Sequence, residues 1–228
     1  KSVSWIIEKF NITKGTKVAD FGCAVGHYTN RLAEAGADAT GIDFSATTLN
    51  YAKEVAQAKG LNVNYIQADY NEFETKEKFD LIIMIMCDFC ALSPGQRTNL
   101  LKRFKGMLTP NGAILLDVYT LNAFDAMAES ATYEKNQLFN FWSAGNYYAF
   151  VNVFKYDAEK VMLNKYTIIE DGQPNRGVYN WLQYFSAESL NAEFKETGLN
   201  VYGFYDNVAG EAYSPGSAEM AIIAKKLA

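Results

Sequence analysis

The stretch Lys17 to Gly26, Lys-Val-Ala-Asp-Phe-Gly-Cys-Ala-Val-Gly, holds the residue types that a cofactor cradle needs. A short apolar strand ends in Asp20, a carboxylate where an apolar residue is expected, and passes through Gly22, Cys23, Ala24 and Gly26 into a helix. Gly22 lets backbone come close to a ligand, and Gly26 lets the helix start tight against the strand. Ala24 stands in the middle of the turn, where its methyl group is expected to exclude a positive φ and tighten the loop. The spacing is not that of a dinucleotide site. The third glycine of Gly-x-Gly-x-x-Gly is missing, position 27 being His, and Asp20 would repel a pyrophosphate held at the helix N-terminus.

Two further carboxylates fall in register with this turn. Asp43 ends the next strand in Gly41-Ile42-Asp43-Phe44-Ser45, about where an acid accepts both hydroxyls of a ribose. Asp69, in Gln67-Ala68-Asp69-Tyr70, can accept from an adenine amine while its neighbour packs the ring. Any one of these aspartates could be a cap or a turn residue. Three at one sheet edge, with Met84-Ile85-Met86 beside them, point to a shared ligand.

Other constellations exclude chemistry. Cys87-Asp88-Phe89-Cys90 has a Cys-x-x-Cys spacing, but no second cysteine pair exists and His27 is the only histidine, so a structural zinc lacks ligands. The motif follows a strand late in the sheet rather than opening the helix after the first one, unlike a thioredoxin-type site. The scarcity of histidine also removes a Ser-His-Asp hydrolase.

The elements that must position these residues alternate regularly. A short amphipathic helix, Ser4 to Phe10, precedes strands at 17–21, 38–43, 62–68, 79–85 and 113–119. Ser45 caps the helix after the second strand, and Ser93-Pro94 opens the one after the fourth. Thr109-Pro110-Asn111-Gly112 reads as a turn into strand five. Five strand-helix alternations imply a doubly wound, mostly parallel sheet, which two closing strands at 199–205 and 219–225 extend to seven. Between strand five and the last helix, residues 122–186 read as an inserted helix and an antiparallel three-stranded meander, with strands at 147–156, 161–170 and 177–185. Residues 1–228 read as a single domain, with the insertion as a lid over the substrate.

Composition narrows the partners. With 228 residues the chain suits one well-filled α/β domain, and a net charge of −5 without a cluster of Lys and Arg argues against a nucleic-acid partner. No apolar run is long enough for a membrane span. Three cysteines within core elements fit a reducing, cytoplasmic setting better than a disulfide scaffold. The chain opens at Lys1 rather than methionine, so a preceding segment that contributes to the lid is expected.

The turn, with Phe79-Asp80-Leu81-Ile82, Leu108-Thr109-Pro110-Asn111-Gly112 and the closing strand pair, resembles the class I S-adenosylmethionine (SAM) dependent methyltransferases, in the branch acting on small molecules. In that family's Asp-x-Gly-x-Gly-x-Gly motif, Ala24 replaces the middle glycine. SAM has no phosphate and carries a sulfonium cation, so a carboxylate at Asp20 helps it bind. The resemblance implies a Rossmann-like methyltransferase fold, SAM as cofactor and a small-molecule methyl acceptor. It implies that Gly22, Ala24 and Gly26 pack the methionine part, that Asp43 holds the ribose and that Asp69 with Tyr70 holds the adenine, with Asp20, Cys23 and Phe44 as further cofactor-binding residues. Met84 and Met86 would line the cofactor floor, although methionines in a buried strand often only fill the core. Asp88 and Tyr119 are candidates for a general base. His27, Trp142, Tyr148, Tyr179 and Trp181 are candidates for a closed aromatic acceptor pocket, although these rings could equally be the insertion's own core. Replacing Asp43 by Ala is expected to weaken cofactor binding with the fold intact. A SAM-sensing protein without catalysis, or a nicotinamide-dependent oxidoreductase, would share parts of this pattern.

Overall fold

In the computed structural model, which describes residues 1–227, two sheets share the chain. Helix α1 (Ser2–Lys9) leads into β1 (Lys17–Phe21), α2 (His27–Glu34), β2 (Asp38–Asp43), α3 (Ala46–Ala58) and β3 (Asn64–Gln67). Then come β4 (Phe79–Met84), a 3-10 turn (Asp88–Ala91), α4 (Pro94–Met107) and β5 (Leu108–Tyr119). The insertion holds α5 (Leu121–Ala126), β6 (Ser130–Lys135), a short turn α6 (Gln137–Asn140), β7 (Tyr147–Tyr156), β8 (Val161–Glu170) and β9 (Arg176–Gln183). The chain closes with α7 (Ala187–Glu196), β10 (Leu199–Tyr205) and β11 (Glu219–Lys226).

The main sheet has the order β10-β11-β5-β4-β1-β2-β3, with β1 to β5 parallel and β11 antiparallel to both of its neighbours. Its strands are apolar on both faces because both faces are covered. On one side Ile6 of α1 and Leu32 of α2 pack against Val18, Leu81, Ile83 and Leu115. On the other, Leu100 and Phe104 of α4 with Leu190 and Phe194 of α7 enclose Phe21, Ile82, Met84 and Leu116. The expected caps hold the helices. Ser45 accepts from the Thr48 amide and Ser93 forms a reciprocal capping box, to which the structure adds a second at Ser186. Asp80, at the opposite edge from the cradle, accepts from the Lys17 amide and from the Thr109 hydroxyl at 3.0 Å each, tying β1, β4 and β5 together.

Two sequence expectations change. The insertion is a four-stranded sheet, β6-β7-β8-β9, and not a three-stranded meander. All six residues of β6 are exposed, so it carries no apolar alternation to betray it and is held by backbone pairing with β7. Thr109 to Gly112 lie within β5 as an irregularity and not as a turn before it, because Phe79 pairs with Leu108 while Leu81 already pairs with Ala113.

Candidate functional site

The carboxyl ends of β1, β2 and β4 meet where the strand order reverses, which is where open α/β sheets bind ligands. Gly22 has φ +77°, and a Cβ there would overlap the Asp88 carboxylate, with Tyr70 next nearest. Gly26, at φ +76°, leaves the space taken by the Tyr65 hydroxyl, which donates to Asn30 Oδ1 at 2.8 Å. Both glycines are required by their backbone and by what packs against them. Ala24 corrects the expectation placed on it: its φ is +45°, in the left-handed region its methyl group disfavours. The loop holds it there because the Ala24 amide donates to Asp43 Oδ2 at 2.9 Å.

Asp43 therefore fastens the loop as well as facing it. Its Oδ1 accepts from the Ser45 amide at 2.8 Å, joining the loop to the start of α3. Replacement by Ala would leave two backbone donors without their acceptor, which sets a stability cost beside the expected loss of cofactor binding. Asp20 is buried and accepts from the Thr29 hydroxyl of α2 at 2.5 Å. Phe44 lies 73% exposed beside Asp43, and Asp69 is exposed and accepts from the Asn71 amide at 2.8 Å. Tyr70 is half-buried, and its phenol is pushed up by burial and then by Asp88, Asp69 and Asp43 around it. Cys23 is buried against Tyr65 and Ala52, its thiol pushed up by burial and by Asp20 and Asp43.

Asp88 is aimed by strain. Met86 and Cys87 both take positive φ, +83° and +59°, directly after β4. Asp117 of β5 holds this bend by accepting from the Cys87 amide at 2.9 Å. Asp117 is a site residue that sequence reading passed over, although a carboxylate inside the apolar run Ala113 to Tyr119 carries the same signal as Asp20 in β1.

The charge balance of the site is one-sided. Burial raises Asp20 to about 7, with Asp88 and Asp43 adding to the rise against hydrogen bonds from Thr29. Burial, Asp43 and Asp117 raise Asp88 to about 6. Burial raises Asp117 to about 6, with Glu219 adding to the rise against the backbone amides of Cys87 and Met86. Four carboxylates thus crowd one edge, and no Lys or Arg is among the groups that set these values. Such a donor set fits a cationic ligand and opposes a phosphate.

The remaining candidates separate. Met84 is fully buried in the core and Met86 is 77% exposed, so the two do not form a common floor. Tyr119 stacks on Tyr184 at 5.5 Å, and its phenol is pushed up by burial and by Cys87 and Cys90. A phenol shifted that way holds its proton more tightly, which weighs against the general-base role expected of Tyr119. His27 is exposed and faces Lys1, Ser2 and Arg31 across a groove of about 240 Å³. Trp142 packs with Tyr147, Tyr166 and Ile168 on one face of the inserted sheet, whereas Tyr148, Tyr179 and Trp181 lie exposed on the other. The expected closed aromatic pocket is not formed, because strand alternation sends its rings to opposite faces. Trp181 instead borders a cleft of about 310 Å³ with Cys90, Ser93 and Val161.

Residues 18–112 match the methyltransferase-domain family model. Among known proteins, the chain is 30% identical over 139 residues to the ubiquinone biosynthesis O-methyltransferase of Actinobacillus pleuropneumoniae serotype 7 (strain AP76), and 31% identical over 144 residues to that of Pasteurella multocida (strain Pm70). Each match spans 58% of this chain and 58% of the relative. The fold extends further. A SAM-dependent methyltransferase from Clostridium acetobutylicum ATCC 824 superposes with a TM-score of 0.79 at 14% identity, covering 99% of this chain and 91% of that one. The CcbJ methyltransferase of Streptomyces caelestis superposes at 0.77 and 13% identity, over 100% and 89%. The glycopeptide N-methyltransferase MtfA, solved with SAM, superposes at 0.61 and 13% identity, over 99% and 93%. Residues 18–112 thus carry the methyltransferase-domain match, and the whole chain has the fold of solved class I SAM-dependent methyltransferases.

Proposed function

We propose that this chain transfers a methyl group from SAM to a small-molecule acceptor, releasing S-adenosylhomocysteine. The observation that carries the reading is the excess of carboxylates around Gly22. A cofactor with sulfonium and ammonium charges relieves their repulsion, whereas a nicotinamide dinucleotide would set its pyrophosphate against Asp88. When bound, SAM supplies a methyl group already activated on sulfur.

The chain's own residues then have separable tasks. Gly22 and Gly26 keep the cradle open to backbone approach, and Asp43 offers its remaining lone pairs to ribose hydroxyls while bracing Ala24 and Ser45. Asp69 and Tyr70 take the adenine edge and face. Asp88, reassigned here from general base to charge partner, faces the cationic end of the cofactor across Gly22. Alignment and exclusion of water are what the fold contributes to the reaction, an effect worth roughly 7–11 kcal/mol in well-oriented systems. The insertion, residues 122–186, bounds the acceptor side through α5 and β9, which pack on Tyr119 and Tyr184. Relatives named for O-methylation and a structural neighbour named for N-methylation make oxygen and nitrogen nucleophiles the first to try in an acceptor screen. Three free, buried cysteines support a cytoplasmic setting, and among the described residues no helix is long and apolar enough to cross a membrane.

Calorimetric titration with S-adenosylhomocysteine, with NAD in parallel, tests the cofactor. Micromolar binding of the first and none of the second is expected. Binding of NAD alone would overturn the reading. Methyl transfer to hydroxyl- and amine-bearing small molecules, read by mass spectrometry, tests the reaction itself.

A further inference from the structure

We propose that the bare face of the inserted sheet is the interface between two copies of this chain. Register fixes which side chains share that face: Tyr133 of β6, Tyr148, Phe150, Phe154 and Tyr156 of β7, with Ile169, Tyr179 and Trp181 from β8 and β9. All are exposed, Tyr133 by 68%, Tyr179 by 58% and Trp181 by 46%. They form one surface rather than scattered rings. Tyr133 stacks on Phe150 at 5.5 Å, Tyr156 lies 5.5 Å from Trp181, and Lys165 sits over Tyr179. The opposite face is already used, by Phe124 and Tyr184 at one end and by Trp142 at the other.

Size and chemistry select a second copy as the occupant. Four strands at their usual spacing are about 19 Å across, and Tyr148 to Tyr156 runs about 26 Å, so each copy presents about 500 Å² in plan. Two such faces bury about 1,000 Å² even before the relief of the side chains is counted, the level at which specific association begins. A monomer rarely leaves so large an apolar patch uncovered. Apart from Lys135 and Lys165 the face carries no charge, too little for a nucleic acid. Asn152, Lys165 and Thr167 cross its middle, polar groups that hydrocarbon would leave unpaired. A two-fold axis offset from Lys165 lets Asn152 and Thr167 meet polar groups of the second copy while the two Lys165 ammonium groups stay apart, and two twisted sheets pack face to face at small angles. Trp181 belongs both to this face and to the cleft beside Cys90, so association would also narrow that cleft.

Sedimentation velocity over a hundredfold range of micromolar concentrations tests this. The unaltered chain is expected to sediment with the mass of two chains. Phe150→Lys, which sets like charges against each other across the axis, is expected to sediment as one, its dissociation constant raised at least a hundredfold. Circular dichroism checks that the variant folds; should it not, Phe154→Lys serves in its place. A single-chain mass for the unaltered protein at every concentration would overturn the proposal, as would dimers that survive either lysine. Pelleting of a single-chain form with phosphatidylglycerol vesicles would also overturn it, assigning the face to a lipid surface.

Discussion

If a cation completes the cradle, affinity for SAM must rise as Asp88 ionises. Asp88 titrates at about 6, held up by burial, by Asp43 and by Asp117. At that value about one-tenth of the group is ionised at pH 5 and about nine-tenths at pH 7, so affinity should increase about tenfold over this range, or about 1.3 kcal/mol. The sign follows from linkage: a bound cation favours the carboxylate, lowers its pKa and expels a proton, and binding strengthens wherever the free site still holds that proton. Calorimetry at pH 6 in phosphate and in bis-Tris reads the proton directly, because the observed heat then depends on the buffer. S-adenosylhomocysteine, which lacks the sulfonium charge, should show a shallower pH dependence than SAM. Asp88→Asn should flatten the profile and weaken binding at pH 7 by about tenfold or more. Affinity constant within twofold from pH 5 to pH 7, or an unchanged slope in Asp88→Asn, would refute the assignment of Asp88 to the cofactor's charge.

Asp117→Asn keeps an acceptor for the Cys87 amide but removes a charge that raises Asp88, so the midpoint of that pH profile should move down; an unmoved midpoint would show that the two do not couple. The cofactor-free chain should melt at a higher temperature at pH 5 than at pH 8. Asp20, Asp88 and Asp117 are all raised in the folded state, so folding holds protons that the unfolded chain releases above about 4, and stability falls as pH climbs through about 6 to 7. Saturating SAM should narrow that gap, and scanning calorimetry at the two pH values measures it. Ala24→Gly relieves a left-handed alanine at a cost in backbone entropy, for a net gain of about 0.5 kcal/mol, read as a small rise in denaturation midpoint. Asp43→Ala should lower stability by about 1–3 kcal/mol through its two orphaned amides, read from chemical denaturation, besides weakening cofactor binding.

Much of the fold could be read from the chain because local signals agreed with the tertiary result. Apolar runs such as Phe79 to Met84 became strands buried on both faces, and Ser45, Ser93 and Ser186 capped helices where a hydroxyl precedes an apolar stripe. The failures lie where such signals are absent or double. β6 has no buried residue and owes its conformation to the β7 backbone. β7, Tyr-Tyr-Ala-Phe-Val-Asn-Val-Phe-Lys-Tyr, is apolar at both parities, so its sequence cannot tell the face that packs on Phe124 from the one left bare. Rings assigned together to one acceptor pocket were divided between the two.

The site failed to declare itself for a different reason, which lies in how charge is set. Asp20, Asp43 and Asp69 stand at strand ends and can be found by position, but the property that selects the cofactor is collective. It depends on Asp88 being turned onto Gly22 by two left-handed residues, and on Asp117 reaching from β5 to hold that bend. Neither contact is local in sequence: Asp88 and Gly22 belong to different strand ends, and Asp117 meets Cys87 across the sheet. Each carboxylate alone at a wet surface would ionise near 4, its pull on a cation weakened by water and salt. Burial, with their neighbours' charges added, lets Asp20, Asp88 and Asp117 hold protons into the neutral range, so a positive ligand binds more tightly as they ionise. On the proposed function, selectivity for a sulfonium over a pyrophosphate would reside in the folding of the loop after β4 at least as much as in the glycine turn.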